Sequence, residues 1–225
     1  MATLYNPGIV TSGLVLALDA ANVKSYPGSG ATWTDLSRYG HNATLFNSPT
    51  YANGRLTFDG VNTYATIPST AALTTTTPTV IVGCTTNSGT VVAKGAYGVY
   101  WNYGIVNTTG NSNTTFAARN NSGDTVSPAF SSTTTSSMNI YGVAYTGSAC
   151  VFYRNGFSSG SSSTSYSPTA TNSQNITIGC ARNNNSSTNV EFYTGSIAFI
   201  LVYNRALSAV EMSQVYYAMR GRYNI

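Results

Sequence analysis

The sequence predicts an all-β protein, an antiparallel β-sandwich or barrel that ends in one short α-helix. Three observations support this prediction. Short apolar runs rich in β-branched and aromatic residues recur along the 225 residues, turn residues separate them, and one helix-start motif stands near the C-terminus. Many short strands divided by Gly, Asn and Pro are typical of sandwiches and barrels. An apolar content of 42% is enough to build a buried core.

The clearest strand pair lies in the segment 138–156, MNIYGVAYTGSACVFYRNG. Because side chains alternate between the two faces of a strand, Tyr141, Val143 and Tyr145 fall on one face and the residues between them on the other. A Thr-Gly-Ser turn follows, and the returning run ends in Asn-Gly, a dipeptide that closes tight hairpins. The segment therefore predicts a unit of strand, turn, strand and turn.

Further strands are predicted on both sides of this hairpin, each a short apolar run between turn residues. Two polar tracts, 131–137 and 158–174, are predicted to be exposed connections. The further strand candidates are residues 13–20, 42–46, 54–60, 63–68, 79–84, 89–95, 97–104, 114–119, 175–182 and 195–204.

One helix is predicted over about 208–220. Ser208 and Glu211 have the spacing of a capping box, in which the serine hydroxyl accepts from the backbone N–H of the glutamate and the carboxylate accepts from that of the serine. Apolar residues follow at positions 212, 215, 216 and 219, which places them on one helical face. Gly221 suits the residue just beyond the helix. The apolar face predicts packing against a sheet.

Charge and hydropathy argue against two classes of partner. Charged residues make up 7% of the chain, the net charge is +4, and the basic residues are scattered. A nucleic-acid binder normally carries a basic stripe. No window reaches the roughly 18 apolar residues of a membrane helix, and the N-terminus lacks the features of a secretory signal. The sequence predicts neither a nucleic-acid nor a membrane partner.

Cys84, Cys150 and Cys180 each lie in or beside an apolar run. An odd number of cysteines without short spacing argues against a disulfide framework or a zinc site. We predict that they are buried thiols that pack as small hydrophobic residues. A contact between Cys84 and Cys180 across two neighbouring strands is left open.

Four segments carry a family resemblance. They are residues 13–37 with GLVLALDA, residues 58–64 with FDGVNTY, the hairpin 138–156, and residues 193–211 with YNRALSAVE. Together they resemble laminin-G-like domains. The resemblance implies a concanavalin A-like fold, a two-sheet antiparallel jelly-roll sandwich that spans residues 1–225 as a single domain. It also implies an N-terminal arm of about residues 1–12 before the first strand. Met138 departs from the family pattern, which usually has Trp there.

The N-terminal run narrows the resemblance. The stretches YNPGIV, GLVLALDAAN and KSYPGSG are similar to small structural proteins of tailed bacteriophages. This resemblance implies a virion protein assembled in the host cytoplasm, where cysteines stay reduced. It implies other virion proteins as partners, the major capsid protein among them, and a homo-oligomer. Whether the chain belongs to the capsid or to the tail is left open.

Catalytic motifs are missing from the sequence. Glycoside hydrolysis uses two carboxyl groups about 5–10 Å apart, whereas no two acids here are closer than 16 positions. His41 is the single histidine and is interpreted as a solvated loop residue, and no nucleophile elbow is present. The sequence therefore predicts that the chain is not an enzyme. The acids are Asp19, Asp35, Asp59, Asp124, Glu191 and Glu211.

No cofactor is predicted, because calcium takes six to eight oxygen ligands and usually several carboxylates. The candidate for a low-affinity calcium site is Asp59 with Asn62. Thr63 stands where the related domains often have Asp, so this segment lacks one acidic ligand that the resemblance would otherwise imply.

The candidate saccharide site is an aromatic run, YGVYWNYG, at residues 97–104. On a single strand Tyr97, Trp101 and Tyr103 share one face, where they would offer a platform for a sugar ring. The alternative is that one set of these aromatic residues belongs to the core and the other covers an interface.

The sequence thus predicts a virion structural protein without enzymatic activity. It would decorate the capsid or an appendage through polar, Tyr-rich protein contacts, because tyrosine gives large contact area at low entropy cost. The alternative is a carbohydrate-binding adhesin on the tail or fibre that recognises host surface glycans.

Overall fold

The computed structural model describes residues 8–85, 88–97, 100–109, 114–119, 125–132, 137–162, 173–183, 188–223 and 225. Within these residues the chain forms eighteen strands, one 3₁₀ turn (Ala71–Leu73) and one α-helix, α1 (Ala209–Tyr223). The strands are β1 (Leu14–Asp19), β2 (Thr32–Trp33), β3 (Ala43–Phe46), β4 (Thr50–Ala52), β5 (Arg55–Asp59), β6 (Tyr64–Ile67), β7 (Thr79–Cys84), β8 (Gly89–Tyr97), β9 (Tyr100–Thr109), β10 (Thr114–Arg119), β11 (Thr125–Ser132), β12 (Asn139–Tyr145), β13 (Cys150–Arg154), β14 (Phe157–Ser162), β15 (Ile176–Ile178), β16 (Ala181–Asn183), β17 (Asn189–Val190) and β18 (Thr194–Tyr203).

The strands form two facing sheets. Sheet I has the order β14-β13-β12-β7-β18-β5-β4, with β1 also paired to β18. Sheet II has the order β11-β10-β9-β8-β15-β6-β3-β2, with β16 beside β8 and β17 beside β16. The strand pairs along both orders are antiparallel, and β16 runs parallel to β8. This arrangement confirms the predicted two-sheet antiparallel sandwich with one C-terminal helix.

The predicted hairpin is β12 and β13, and its alternation is present. Tyr141, Val143 and Tyr145 belong to the core between the sheets, whereas Ile140 and Ala144 belong to a second apolar cluster on the outer side of sheet I. The predicted Asn-Gly turn also forms, with φ of 50° at Asn155 and 80° at Gly156. A positive φ at both positions matches the twist of a tight hairpin.

Helix α1 covers the outer face of sheet I. Met212, Val215 and Met219 are buried in the same apolar cluster as Phe199 of β18. The contact is close: a Cβ at Gly142 of β12 would lie 2.2 Å from Met212 Cε, so a larger residue there would displace the end of the Met212 side chain. The predicted packing of the helix against a sheet is confirmed.

The capping box at the start of α1 is also present. The backbone N–H of Ser208 donates to Glu211 Oε2 at 2.9 Å, and that of Glu211 donates to Ser208 Oγ at 3.3 Å. The helix does not end before Gly221 as predicted but continues to Tyr223. Its last turn is held to β1, because Arg222 pairs with the carboxylate of Asp19 and the Tyr223 hydroxyl donates to the same carboxylate.

Two predicted connections contain strand. β11 runs into the first polar tract as far as Ser132, and β14 takes up the start of the second, up to Ser162. Strand pairing supplies the reason, because β14 adds to the edge of sheet I beside β13, and β11 pairs with β10 at the edge of sheet II. Residues 133–136 and 163–172 of these tracts lie outside the described residues.

The three cysteines are free and buried, as predicted. The open question of a contact on neighbouring strands is answered by the topology. Cys84 ends β7 in sheet I, whereas Cys180 follows β15 in sheet II. Burial raises the pKa of all three thiols, to about 12 for Cys150 and Cys180.

The N-terminal residues from position 8 onward run beside α1. The Tyr203 hydroxyl donates to the Val10 carbonyl at 2.9 Å, and the Gln214 amide donates to the Gly8 carbonyl at 2.8 Å. The first seven residues of the predicted arm lie outside the described residues. Among the described residues, no helix has the length and apolar character that a membrane crossing needs.

Candidate functional site

The outer face of sheet II differs from that of sheet I around β3 and β6. Along β3 and β6 buried residues alternate with more exposed ones. Thr44 and Phe46 of β3 pair with Thr66 and Tyr64 of β6, and these four side chains share the outward face. This part of sheet II therefore offers an aromatic and hydroxyl-bearing surface to solvent.

Three aromatic rings form a ladder on this surface. Phe46 stacks on Tyr64 with ring centroids 4.6 Å apart and planes 8° from parallel. Tyr64 then meets Phe192 edge to face at 6.4 Å. Phe46 is 37% exposed, and the other two rings are half-buried. We call Phe46, Tyr64 and Phe192 the aromatic ladder.

A cleft of about 460 Å³ opens at the end of β3. It lies where the chain leaves β3, the neighbour of the edge strand β2 in sheet II, and enters β4 at the edge of sheet I, with the loop before β2 as its other wall. None of the described residues that line it is charged. We call it the edge cleft, and its lining residues are Tyr26, Gly28, Ser29, Gly30, Ala31, Leu45, Asn47, Ser48, Pro49 and Tyr51.

Two tyrosines give the edge cleft its aromatic character. The rings of Tyr26 and Tyr51 have centroids 5.2 Å apart and planes tilted by 59°. Tyr26 is buried, and its hydroxyl donates to the Gly30 carbonyl at 3.1 Å, which fixes the loop before β2. Burial, reinforced by Tyr51, raises the pKa of Tyr26. Tyr51 is the more accessible of the two rings.

The loop that carries Asn47 is held by a turn centred on Asp59. Its Oδ1 accepts from the backbone N–H groups of Val61, Asn62 and Thr63, and from the Thr63 hydroxyl, at 2.8 to 3.1 Å. These backbone bonds, that of Val61 first, hold the pKa of Asp59 well below its usual range. The turn presents the Asn62 carbonyl, which accepts from Asn47 Nδ2 at 2.7 Å. Two separate loops are thereby joined at the cleft.

This geometry changes the interpretation of Asp59 and Asn62, the sequence-predicted calcium ligands. One carboxylate oxygen of Asp59 is committed to four donors, and Asn62 contributes its backbone to the same turn. Among the described residues, no group of three or more His, Cys, Asp or Glu is placed to hold a metal ion. Asp59 orders the turn, and the Asn62 carbonyl of that turn binds Asn47 and so fixes the loop that carries it.

The predicted platform of Tyr97, Trp101 and Tyr103 is not a single strand face. β8 ends at Tyr97 and β9 begins at Tyr100, so the three residues belong to two antiparallel strands. Tyr103 is fully buried, and its hydroxyl donates to the Leu73 carbonyl at 3.1 Å, so it belongs to the core. Burial raises its pKa. The side chains of Tyr97 and Trp101 lie outside the described residues.

His41 is a structural residue rather than a solvated loop residue. It is 8% exposed, and both ring nitrogens have partners: Nδ1 donates to the Val15 carbonyl at 2.8 Å, and Nε2 accepts from the Thr70 hydroxyl at 2.9 Å. Its ring also stacks on Tyr39. The histidine therefore holds together β1 and the 3₁₀ turn.

The edge cleft was missed by sequence reasoning because it is assembled from two separate loops. Two local signals were available, SYPGSG at residues 25–30 and NSPTY at residues 47–51. Each places a tyrosine beside turn residues. Nothing in the sequence shows that these two turns meet, since that depends on the antiparallel pairing of β2 with β3, which the bond from Leu45 N–H to the Ala31 carbonyl continues.

No family model and no curated protein sequence matches the chain. Solved structures do match. A sialidase of Trypanosoma rangeli in complex with sialic acid aligns with a TM-score of 0.67 and 18% identity over 95% of this chain and 34% of that one. The binding domain of Paraclostridial Mosquitocidal Protein 1 has 0.65 and 14%, over 91% and 52%. The binding domain of botulinum neurotoxin serotype D has 0.65 and 11%, over 92% and 52%.

These similarities support the jelly-roll, concanavalin A-like sandwich. The chain spans between about a third and a half of the proteins it matches. The prediction that the chain is not an enzyme has to be corrected, because the solved structures that share its fold include sialidases, which are enzymes. At this level of identity the likeness shows the fold alone and transfers no activity. The bacteriophage resemblance finds no counterpart among these structures.

Proposed function

We propose that this chain is a carbohydrate-binding domain that takes a neutral saccharide into the edge cleft. The observation that carries the proposal is the lining of the cleft: two tyrosine rings tilted toward each other, amide and hydroxyl groups beside them, and no charge among the described lining residues. Its volume lies in the range of small-molecule sites, about 300–1,000 Å³.

The chemistry of a sugar matches this lining. A pyranose presents an apolar C–H face, which packs against an aromatic ring, and a rim of hydroxyl groups, which need donors and acceptors. Tyr51 supplies the accessible ring, and the Asn47 amide with the Ser29 and Ser48 hydroxyls supplies polar groups of both kinds. A charged ligand would find no counter-ion among them. The solved structures of this fold include a sialidase in complex with sialic acid, which supports a saccharide as the class of ligand, whereas the neutral kind is argued from the uncharged lining.

Titration with immobilised and free neutral glycans tests the proposal. We expect Tyr51→Ala to weaken binding at least about tenfold, since the stacking ring is lost. Tyr217→Ala is the matched control, because Tyr217 is 44% exposed on α1, an element of the opposite side of the sandwich. Binding should also change little with salt, because no ion pair contributes. Equal affinity in both variants would place the saccharide elsewhere.

A second candidate function is protein assembly, and one observation favours it. An exposed group on the outer side of sheet I combines Phe157, Tyr216, Tyr217 and Arg220. The Arg220 guanidinium lies 5.2 Å from the Tyr217 ring centroid and 5.7 Å from that of Tyr216. Phe157, at 59% exposure, packs on Tyr216. Tyrosine, phenylalanine and arginine are enriched at protein interfaces. The proposed partners are other virion proteins and further copies of this chain.

The virion assignment rests on the sequence resemblance to phage structural proteins. Quantitative mass spectrometry of purified particles tests it, with copy number set against the major capsid protein. Hundreds of copies would support capsid decoration, and a few would support the tail or a fibre. Absence of the chain from particles would contradict the assignment and leave saccharide binding untouched.

A further inference from the structure

A groove runs over the outer side of sheet I, between the N-terminal residues and the end of α1. It consists of two cavities, of about 540 and 450 Å³, whose linings share Thr11, Leu14 and Leu36. The two cavities therefore adjoin along these three residues, and we call them together the N-terminal groove. Among the described residues, it has no lining residue in common with the edge cleft.

The second cavity of the groove is mainly apolar. Its lining includes Ile9, Leu14, Leu201 and Met219, which belong to the apolar cluster beneath α1 or pack against it. Leu36, at the junction of the two cavities, is 39% exposed although leucine is among the residues most often buried. This part of the groove can bury apolar side chains of a ligand.

The first cavity is polar, and Arg38 is the charged residue of its described lining. The Arg38 guanidinium lies 5.1 Å from the Tyr39 ring centroid and donates to the Tyr39 hydroxyl at 3.1 Å. Both ion pairs between described residues involve other arginines, so no described acid neutralises Arg38. The hydroxyls of Thr11 and Ser12 lack a hydrogen-bond partner within the described part of the chain. This end of the groove therefore offers a positive charge and two hydroxyl groups.

Every acid in the described part of the chain already accepts hydrogen bonds from its own chain. Asp35, for example, accepts from the backbone N–H groups of Ala17 and His41 at 2.8 Å. The described residues of a second copy therefore hold no free carboxylate for Arg38, and the net charge of +4 disfavours contact between copies. Charge complementarity points instead to a different protein that carries acidic groups. The acids are Asp19, Asp35, Asp59, Glu191 and Glu211.

We propose that the N-terminal groove binds an extended acidic segment of a partner protein. Apolar side chains of the segment enter the second cavity, and an aspartate or glutamate pairs with Arg38 in the geometry that guanidinium and carboxylate favour. The hydroxyls of Thr11 and Ser12 serve the polar backbone groups of a peptide, which an alkyl chain lacks. This site is separate from the edge cleft and does not rest on saccharide binding.

The segment does not bind as an added strand, because the free edge of β1 is already occupied. The Ala17 N–H donates to Asp35 Oδ1 at 2.8 Å, and the Ala17 carbonyl accepts from the Leu36 N–H at 2.8 Å. The Val15 carbonyl accepts from His41 Nδ1 at 2.8 Å. Recognition therefore depends on side chains rather than on main-chain pairing.

Both walls of the groove are ordered before a ligand binds. Arg205 Nε donates to the Ser12 carbonyl at 3.1 Å and holds the N-terminal wall. The bond from the Leu36 N–H to the Ala17 carbonyl holds the opposite wall to β1. A surface that is already ordered loses little conformational entropy on binding.

The test is selection from a displayed library of random dodecapeptides, with the wild-type protein as bait. We expect the enriched peptides to share an aspartate or glutamate near two or more apolar residues. A fluorescein-labelled peptide of that consensus is then titrated by fluorescence anisotropy. Arg38→Ala should weaken its binding at least about tenfold, because a charge-assisted pair is lost. Leu36→Ala should also weaken it, and affinity should fall as salt rises, because Arg38 is exposed.

A charge reversal sharpens the test. Arg38→Glu as bait should enrich peptides with lysine or arginine in place of the acid. Arg220→Ala is the matched control, because Arg220 also stacks on tyrosine rings but does not line the groove. Val210→Ala, at 78% exposure, is the control for Leu36→Ala. Denaturant midpoints equal to that of wild type show that each variant keeps the fold.

Three results would overturn the site: no enriched peptide, a consensus without acids, or an Arg38→Ala variant equal to wild type. Binding of dodecanoate in place of any peptide would also overturn it, since the occupant would then be an alkyl carboxylate. A dimer that Arg38→Ala dissociates would overturn it as well, since a second copy would fill the groove. These outcomes leave the edge cleft untouched, because Tyr51→Ala tests that site separately.

Discussion

The two sheets of this sandwich are built from similar strands but have different surroundings. All six residues of β7 in sheet I are buried, and so are the last seven of β18. In sheet II, β3 and β6 bury every second residue and leave the others at least partly exposed. The difference arises outside the sheets, because α1 and the N-terminal residues cover sheet I. A strand whose two faces are both covered has a continuous apolar sequence, whereas a strand with one face open to solvent alternates apolar and polar residues.

An aromatic residue on the outer face of a sheet therefore has a different environment on each of the two sheets. On sheet I, Phe199 is fully buried beneath α1 and packs on Tyr223 with ring centroids 5.4 Å apart. On sheet II, Phe46 is 37% exposed and stacks on Tyr64 of the neighbouring strand β6. We conclude that the first contributes more to stability than the second, which stays partly exposed to solvent.

The largest expected effect comes from making the same substitution on each sheet. Phe199→Ala should lower the free energy of unfolding by about 3–5 kcal/mol, because it leaves a cavity beneath the helix that the fixed strands cannot close. Phe46→Ala should lower it by about 1–2 kcal/mol, because the ring is already 37% exposed and only part of its burial is lost. Denaturant unfolding of both variants with wild type measures this.

The slope of each denaturant transition serves as the control, since it reports whether the exposed surface on unfolding is unchanged. Equal costs for the two phenylalanines would contradict the difference between the sheets. In particular, a cost above about 3 kcal/mol for Phe46→Ala would mean that the outer face of sheet II is covered in solution.

The parts of the fold that follow from local periodicity could be predicted from the sequence. The β12–β13 hairpin and α1 each contain their whole signal within about twenty residues: alternation with an Asn-Gly turn in the first, and a capping box with an apolar face in the second. The helix end was missed, because Gly221 is a local stop signal that the contacts of Arg222 and Tyr223 with Asp19 override.

The candidate site could not be predicted in the same way, because its parts come from different loops. Tyr26 and Tyr51 are 25 positions apart, and only the pairing of the strands brings their rings together. Asp59 shows the same difficulty. Its acidic side chain beside Asn62 indicated a metal ligand, whereas the nearest donors are backbone N–H groups of its own turn. Tyr103 was a candidate for the saccharide platform, and its complete burial fits the stated alternative, in which one set of these aromatic residues belongs to the core.

The second expected effect concerns the interior that both sheets share. Burial raises the pKa of Cys84, Cys150 and Cys180, so the thiols stay protonated in the folded state while the unfolded chain loses protons above about pH 8.5. Their stability contribution is therefore present below that pH and falls as pH rises. Lys94 acts in the opposite direction, because burial lowers its pKa to about 8. We expect a net loss of about 2 kcal/mol between about pH 8 and 9.5.

Denaturant unfolding at the two pH values measures this loss, and the native thiols should resist a thiol reagent until the protein unfolds. Cys150→Ala should reduce the pH dependence by about a third of the thiol contribution, whereas Lys94→Met should make the loss steeper. A stability that does not change with pH in this window would contradict the burial of these groups.

The smallest expected effect separates the helix that covers sheet I from the site on sheet II. The hydrogen bonds from Arg205, with further bonds from Ser208, lower the pKa of Glu211 to about 2. A depressed folded pKa means that the contribution is present above the unfolded value, about 4.3, and is lost as pH falls toward 2. The side chains of Arg205 and Glu211 are 33% and 27% exposed, so solvent screening limits the loss to about 1 kcal/mol.

Glu211→Gln should remove this acid sensitivity and lower stability at neutral pH by a similar amount. Its saccharide affinity should equal that of wild type, because the variant loosens the cover of sheet I and leaves the edge cleft unchanged. A loss of binding in this variant would show that the two sheets are coupled. It would contradict the view that the cap of α1 contributes stability alone and that the edge cleft binds the saccharide.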